Sequence, residues 1–305
     1  MFVHPDATRF LEIVADAPPL DTLSVERNRA DVDAAAEISG PTTACERVYD
    51  TTIAGVPVRV YIPVEQDAAQ PAFLWIHGGG WVTGSLDLAD TAVRDIATAA
   101  GAIGISIDYR LAPEHPFPAG LEDCLAVARA VLSGQSGVNV IPEQVAIAGD
   151  SAGGNLSAVV AQELRAHTPA LTHQVLVYPV TDAASTDTES YSTFADGYYL
   201  TRRNMQYFID TYAGGADRED PRMSPLRNPD LTGLPPATFI LASHDPLVDE
   251  GRDYAAALLE QGIPATVIEF AGQVHPFVYL AGVIEDGAVA RRLIGSQIRA
   301  SFDRA

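Results

Sequence analysis

Gln144-Val145-Ala146-Ile147-Ala148-Gly149-Asp150-Ser151-Ala152-Gly153-Gly154-Asn155-Leu156-Ser157-Ala158-Val159-Val160 is the stretch that decides the reading of this chain. Its first five residues read as a buried strand, and Gly154 onward reads as a helix. Between them stands Gly-x-Ser-x-Gly, the pattern of a nucleophile elbow. The bend from strand to helix is so tight that glycines are needed at its flanks, and the serine hydroxyl is pushed out above the sheet. A pentapeptide of this kind arises by chance with an expectation of roughly 0.1 in such a chain. Three further features, in the order the chemistry requires, give it weight.

The first is His77-Gly78-Gly79-Gly80-Trp81, directly after the apolar run Ala72–Ile76. Successive glycines let backbone N–H groups converge on one point, as an oxyanion hole requires; the remaining donor would be the N–H of Ala152. The second is Ser243-His244-Asp245-Pro246-Leu247-Val248-Asp249-Glu250, after the strand-like Ala237–Leu241. An acid at a strand end can accept from an imidazole N–H and fix its tautomer. Asp245 has that position, whereas Asp249 reads as a charge at a helix start. The third is His275, after the strand-like Ala265–Glu269 and the only histidine beyond Asp245. The order Ser, acid, His is the one expected for this elbow.

Composition narrows the alternatives. The 19 basic residues are all arginine, so lysine-dependent dyads, Schiff bases and a Walker-type phosphate lysine are excluded. Cys45 and Cys124 lack a spacing suited to zinc, and neither a metal nor a cofactor is expected. A net charge of −21 argues against nucleic acid and anionic membranes as partners. No window is apolar enough for a stable membrane insertion, and no basic-then-apolar leader is evident. Two unpatterned cysteines fit a reducing compartment, so a cytoplasmic location is expected.

Short apolar runs alternate with helical patterns through most of the chain. Strands are predicted at Arg47–Ile53, Val56–Ile62, Ala72–Ile76, Ile103–Asp108, Val145–Ala148, Gln174–Tyr178, Ala237–Ala242 and Thr266–Phe270. Helices are predicted at Leu86–Ala100, Gly120–Leu132, Gly153–His167, Glu250–Gln261 and Ala288–Phe302. The alternation implies an α/β fold: a mostly parallel eight-stranded sheet with helices on both faces. His77, Ser151, Asp245 and His275 each follow a strand, where reactive groups gather in such sheets. Two regions break the alternation. Residues 1–44 hold amphipathic stretches at Ala7–Ala15 and Ser24–Ile38, and residues 182–228 form an insertion rich in aromatics. These are expected to pack together as a helical cap, with residues 45–181 and 229–305 forming the core. About half of the cap's large side chains (Phe194, Tyr198, Tyr199, Met205, Tyr207, Phe208 and Tyr212) are expected to anchor it.

The assembled motifs resemble the hormone-sensitive-lipase-like branch of the α/β hydrolases. The likeness rests on His77–Gly80, Asp108-Tyr109-Arg110-Leu111-Ala112-Pro113-Glu114, Gly149–Gly154, Tyr178-Pro179 and Asp245-Pro246-Leu247 with Asp249-Glu250-Gly251, and it spans nearly the whole chain. The resemblance implies the α/β-hydrolase fold, a triad of Ser151, Asp245 and His275, and an oxyanion hole from Gly79, Gly80 and Ala152. His77 and Gly78 would then support the loop. It also implies a serine carboxylesterase acting on small-molecule esters of short to medium chain through an acyl-enzyme. Trp81, Tyr198, Leu247 and Phe277 are expected to wall the pocket. Relatives are often dimers, so a homodimer is a further expectation. An amidase or lactonase would use the same triad, and a non-catalytic receptor on this fold is a third reading that retention of His275 opposes. The chain departs from the family at one point, where His275-Pro276-Phe277 replaces the usual His-Gly-Phe. Proline removes an N–H at 276 and favours extended geometry at His275, which is expected to tune activity without abolishing it.

Overall fold

A computed structural model describes residues 2–303. The chain opens with α1 (Pro5–Ile13), a 3-10 turn at Leu20–Thr22, α2 (Val25–Asp33) and a second turn at Ala34–Ile38. There follow β1 (Arg47–Ile53), β2 (Val56–Ile62), β3 (Gln70–Ile76), α3 (Leu86–Ala100), β4 (Ile103–Ile107), α4 (Ala119–Leu132), β5 (Val140–Asp150), α5 (Ala152–Glu163) and β6 (Gln174–Val177). The insertion carries α6 (Glu189–Thr193), α7 (Arg202–Ala213) and a turn at Pro225–Arg227. The chain then returns to β7 (Ala237–His244), α8 (Val248–Glu260), β8 (Ala265–Val274), a turn at Phe277–Tyr279 and α9 (Glu285–Phe302).

The eight strands form one sheet in the order β1-β2-β4-β3-β5-β6-β7-β8. It is mixed at one edge, because β2 runs antiparallel to both β1 and β4, and it is parallel from β4 through β8. Period-two side-chain direction divides the core between two faces. Leu74, Ile76, Val145 and Ile147 pack with α4, α5 and α8, while Phe73, Trp75, Ala146 and Ala148 pack with α3 and α9. The chain steps from β3 to β4 in one direction and then resumes at β5 on the other side of β3. That reversal opens a crevice at the carboxyl ends of β3 and β5, where doubly wound sheets place their ligands.

Register decides which residues emerge there together. Ile76 pairs with Gly149, so His77 and Asp150 leave the sheet side by side. His244 pairs with Val274 after a register shift, so Asp245 and His275 do the same. Both β7 and β8 run further than their apolar patterns predict, β8 by four residues through Gly272, and this carries the acid and the base to one level.

Helix ends follow local chemistry. Ser85 caps α3 by accepting from Leu88 N–H, and Gly101 ends it in the left-handed conformation. The amphipathic stretch from Ser24 divides in two, with Ser24 capping α2 and the last residues tightening into a 3-10 turn. The helix after the elbow ends at Glu163, one turn short of the predicted His167.

The sharpest packing constraint lies at Gly153. A Cβ there would sit 1.9 Å from the Ile76 carbonyl oxygen, a backbone atom that cannot give way. Gly262 also has a positive φ, +80°, but a Cβ there meets nothing within 4 Å. Gly153→Ala is therefore expected to destabilise the protein by about 3 kcal/mol or more through overpacking. Gly262→Ala should cost only about 1–2 kcal/mol for the left-handed backbone. Urea unfolding of the two variants checks the order; equal losses would show that the contact at Gly153 is not tight.

Candidate active site

Ser151 stands between β5 and α5 with φ 54° and ψ −118°, a conformation L-residues avoid. Its N–H donates to the Val177 carbonyl at 2.8 Å, and its own carbonyl accepts from Asn155 N–H at 3.0 Å. The hydroxyl is thereby turned toward His275, whose Nε2 lies 3.0 Å from Ser151 Oγ. On the other side of the ring, Nδ1 lies 2.7 Å from Asp245 Oδ2. A carboxylate only accepts, so Nδ1 carries the proton and Nε2 is free to accept from the serine. Asp245 is fully buried, and its second oxygen accepts from Leu247 N–H at 2.9 Å. Both oxygens thus have donors, which orients the carboxylate before any substrate arrives. The Tyr178 ring packs against the imidazole with centroids 4.3 Å apart. The His275–Pro276 peptide bond is cis, and the imidazole is seated within reach of both partners.

The three-glycine loop faces the same point. Gly79 and Gly80 have φ of +112° and +60°, and a Cβ on Gly80 would lie 2.2 Å from the Phe208 ring of α7. Among the described residues, no protein acceptor takes the N–H of Gly79, Gly80 or Ala152. Gly78 is different: its N–H donates to Asp150 Oδ1 at 2.8 Å. His77 is fully buried, and its Nδ1–H donates to the Gly78 carbonyl at 2.8 Å. Its ring stacks on Tyr109 at 4.5 Å, and the Tyr109 hydroxyl donates to the His77 carbonyl. Burial holds the His77 pKa below its ordinary value, so the ring stays neutral and braces the loop.

A cavity of about 380 Å³ lies over Ser151, bordered by Gly79, Gly80, Ser151 and His275 below. Its walls come from both regions outside the strand–helix alternation: Leu11, Pro19 and Leu20 from the N-terminal segment, and Tyr199, Leu200, Met205 and Phe208 from the insertion. Arg203 at its edge pairs with Asp21 at 2.7 Å, and Phe10 packs on Tyr199 at 5.2 Å, so the two segments also touch each other. On the N-terminal side, Arg29 of α2 grips the Val82 and Ala112 carbonyls and pairs with Glu114.

The four side chains expected as pocket walls lie elsewhere. Trp81 is buried behind the loop, stacked on Tyr212 at 4.4 Å. Phe277 packs between Tyr178 and Phe270, and Leu247 is wholly buried in the core. Tyr198 stands edge-on to Phe194 and beside His244. Trp81, Leu247 and Phe277 sit within two residues of a motif residue in sequence, and Tyr198 directly precedes Tyr199 of the cavity wall, but adjacency does not set side-chain direction. These large apolar groups support the motif loops from behind, while the cavity is walled from more distant segments. Of the cap residues, Tyr199, Met205 and Phe208 line the cavity, whereas Phe194, Tyr198 and Tyr212 anchor the insertion. Asp249 lies in the first turn of α8 and accepts from Ser190 N–H at 2.8 Å, tying α6 to the loop of the acid.

Asp150 and Tyr178 were not singled out by the sequence, although both lie inside quoted motifs. Burial pushes the Asp150 carboxyl up to about 6, against the pull of its bonds from Tyr279 and Gly78. Because the folded value exceeds the ordinary 3.8, the folded state holds this proton more tightly. The group's contribution is fully present below pH 4 and is lost as pH rises through 6, by on the order of 3 kcal/mol. The stability of Asp150→Asn relative to wild type should therefore climb between pH 4 and 7 in chemical denaturation. A difference that is flat with pH would contradict this.

Among the described residues, no group of three or more His, Cys, Asp or Glu could hold a metal ion, and no helix is long and apolar enough to cross a membrane. Comparison with known proteins places the geometry in context. A family described by the alpha/beta hydrolase fold matches residues 73–279. The carboxylesterase NlhH of Mycobacterium tuberculosis is 42% identical over 240 residues, covering 77% of this chain and 75% of its own. An ethyl acetate hydrolase of Pseudomonas putida is 34% identical, covering 94% and 95%. The solved structure of an ester-hydrolase from the metagenome of Lake Arreo superposes with a TM-score of 0.94 at 34% identity, over 99% of this chain and all of that one.

Proposed function

From the premise that this chain belongs to the hormone-sensitive-lipase-like family of α/β hydrolases and is a carboxylesterase, we propose that Ser151, His275 and Asp245 carry out a two-step acyl transfer. One observation carries the assignment: the relay Asp245–His275–Ser151, at 2.7 and 3.0 Å, ends beside three amide N–H groups that no protein acceptor takes among the described residues.

His275 Nε2 removes the Ser151 proton as Oγ bonds to the ester carbonyl carbon, and the carbonyl electron pair moves onto oxygen. Gly79, Gly80 and Ala152 N–H groups stabilise that oxyanion, aided by the positive end of α5. Asp245 steadies the imidazolium. His275 then gives its proton to the departing alkoxide, which leaves as alcohol. A water molecule, deprotonated by the same nitrogen, attacks the acyl carbon and returns Ser151 to its starting state. The residues need no cofactor for this sequence.

The substrates this site suits are uncharged esters of short to medium acyl length. Apolar walls from Leu11, Leu20, Leu200, Met205 and Phe208 support that reading, as does the pairing of the rim cation Arg203 with Asp21. A cytoplasmic place of action is the accompanying proposal, in keeping with free thiols at Cys45 and Cys124.

Purified protein should hydrolyse p-nitrophenyl esters best at short to medium length and be labelled at Ser151 by a fluorophosphonate. Ser151→Ala is expected to lower kcat by about 10⁴-fold or more, and Asp245→Asn by about 10⁴-fold because the imidazole is held in the wrong tautomer. Hydrolysis that survives Ser151→Ala would defeat the assignment.

A further inference from the structure

Beside the triad, along the cavity lining, two donors that the acyl transfer does not use, one backbone and one side chain, converge on a single atom of Asp150. Asp150 is 1% exposed, and its Oδ1 accepts both the Gly78 N–H at 2.8 Å and the Tyr279 hydroxyl at 2.5 Å. The Tyr279 oxygen in turn lies 3.2 Å from Trp75 Nε1. The directions are forced. Indole and amide nitrogens only donate, so the phenol accepts from Trp75 and directs its single proton to Asp150. Packing adds a second restraint, since a Cβ on Gly78 would meet Asp150 Oδ2 at 2.3 Å.

The positions of these groups matter as much as the bonds. Gly78 opens the loop that bears the Gly79 and Gly80 N–H groups. Tyr279 closes the turn that begins two residues after His275. Asp150 directly precedes Ser151. One carboxylate oxygen therefore ties the donor loop to the loop of the base, at the residue next to the nucleophile.

We propose that Asp150 and Tyr279 are positioning residues, whose shared hydrogen bond sets the aim of the Gly79 and Gly80 N–H groups relative to Ser151 and His275. They act through Gly78 and through the turn after His275. The inference rests on the reading of Gly79, Gly80 and Ala152 as oxyanion donors. A donor lost outright costs about 10²–10³ in turnover, and a displacement of about 1 Å can cost about 10². Partial misaiming reaches at most the lower of those figures.

The test uses the full chain with Tyr279→Phe, Asp150→Ala and Asp150→Asn, assayed on p-nitrophenyl butyrate with fluorophosphonate titration of active sites. Tyr279→Phe is expected to lower kcat by about 10-fold and Asp150→Ala by about 10²-fold, with KM changed less than about threefold. Affinity for a trifluoromethyl ketone, which forms an oxyanion on Ser151, should weaken in step with kcat. Asp150→Asn keeps an oxygen that accepts both bonds and should recover most of what Asp150→Ala loses. If Asp150→Ala does not fold, Tyr279→Phe decides alone, since it removes a single oxygen. A Tyr279→Phe protein with lowered melting temperature but unchanged kcat and ketone affinity would overturn the proposal, because that is the mark of a merely structural bond. So would an Asp150→Asn protein as slow as Asp150→Ala. Wild-type protein that is not labelled at Ser151 would instead bring down the reading of the site itself, and this inference with it.

Discussion

The backbone of Ser151 is held where an L-residue does not rest by choice, and the rest of the site is arranged around that fact. A φ of 54° with ψ −118° carries a penalty on the order of 1–3 kcal/mol, sustained only because the surroundings over-determine it. The restraint comes from both flanks. The Ser151 N–H is bound by β6 through Val177, and Gly153 lets α5 come down onto the Ile76 carbonyl of β3. The same close approach sets the start of α5 beside the glycine loop, so the nucleophile and its amide donors are fixed by one packing contact.

Sheet register then does for the other half of the relay what packing does for the serine. His244 and Val274 are neighbours across β7 and β8, and the next residue of each strand is the acid and the base. A side chain that must sit 2.7 Å from its partner is thus placed by backbone hydrogen bonds, which are short, directional and numerous. Local contacts finish the job, with the Tyr178 ring behind the imidazole and the backbone N–H of Leu247 donating to the second carboxylate oxygen.

Much of this was legible in the sequence, because motif and period are local properties. The elbow, the glycine loop, the late acid and the last histidine each followed an apolar run. The strands β1 and β2 and the helix α3 have the bounds that their patterns and caps predict. The pocket was not legible in the same way. Trp81, Leu247 and Phe277 stand beside motif residues and Tyr198 beside Tyr199 of the wall, yet none of the four lines the cavity, while Leu11, Leu20 and Met205 reach it from 130 or more, or some 50, positions away from Ser151 along the chain. Which way a large apolar side chain turns depends on tertiary neighbours that no short window contains. The pair of hydrogen bonds to Asp150 Oδ1 was hidden for the same reason: their donors come from Gly78 and Tyr279, brought together only by the sheet.

The cavity walls have a consequence for how such a protein can change. They are drawn largely from α1, the stretch after it, and the insertion around α7, none of which supplies a strand to the sheet. The reacting groups sit on strand ends, fixed by backbone pairing. Replacements at Leu11, Leu20 or Met205 can reshape the space offered to an ester while leaving the relay untouched. Chemical rate and molecular selectivity are in this sense separate inheritances, and selectivity is free to drift across a lineage while the rate-determining apparatus stays constant.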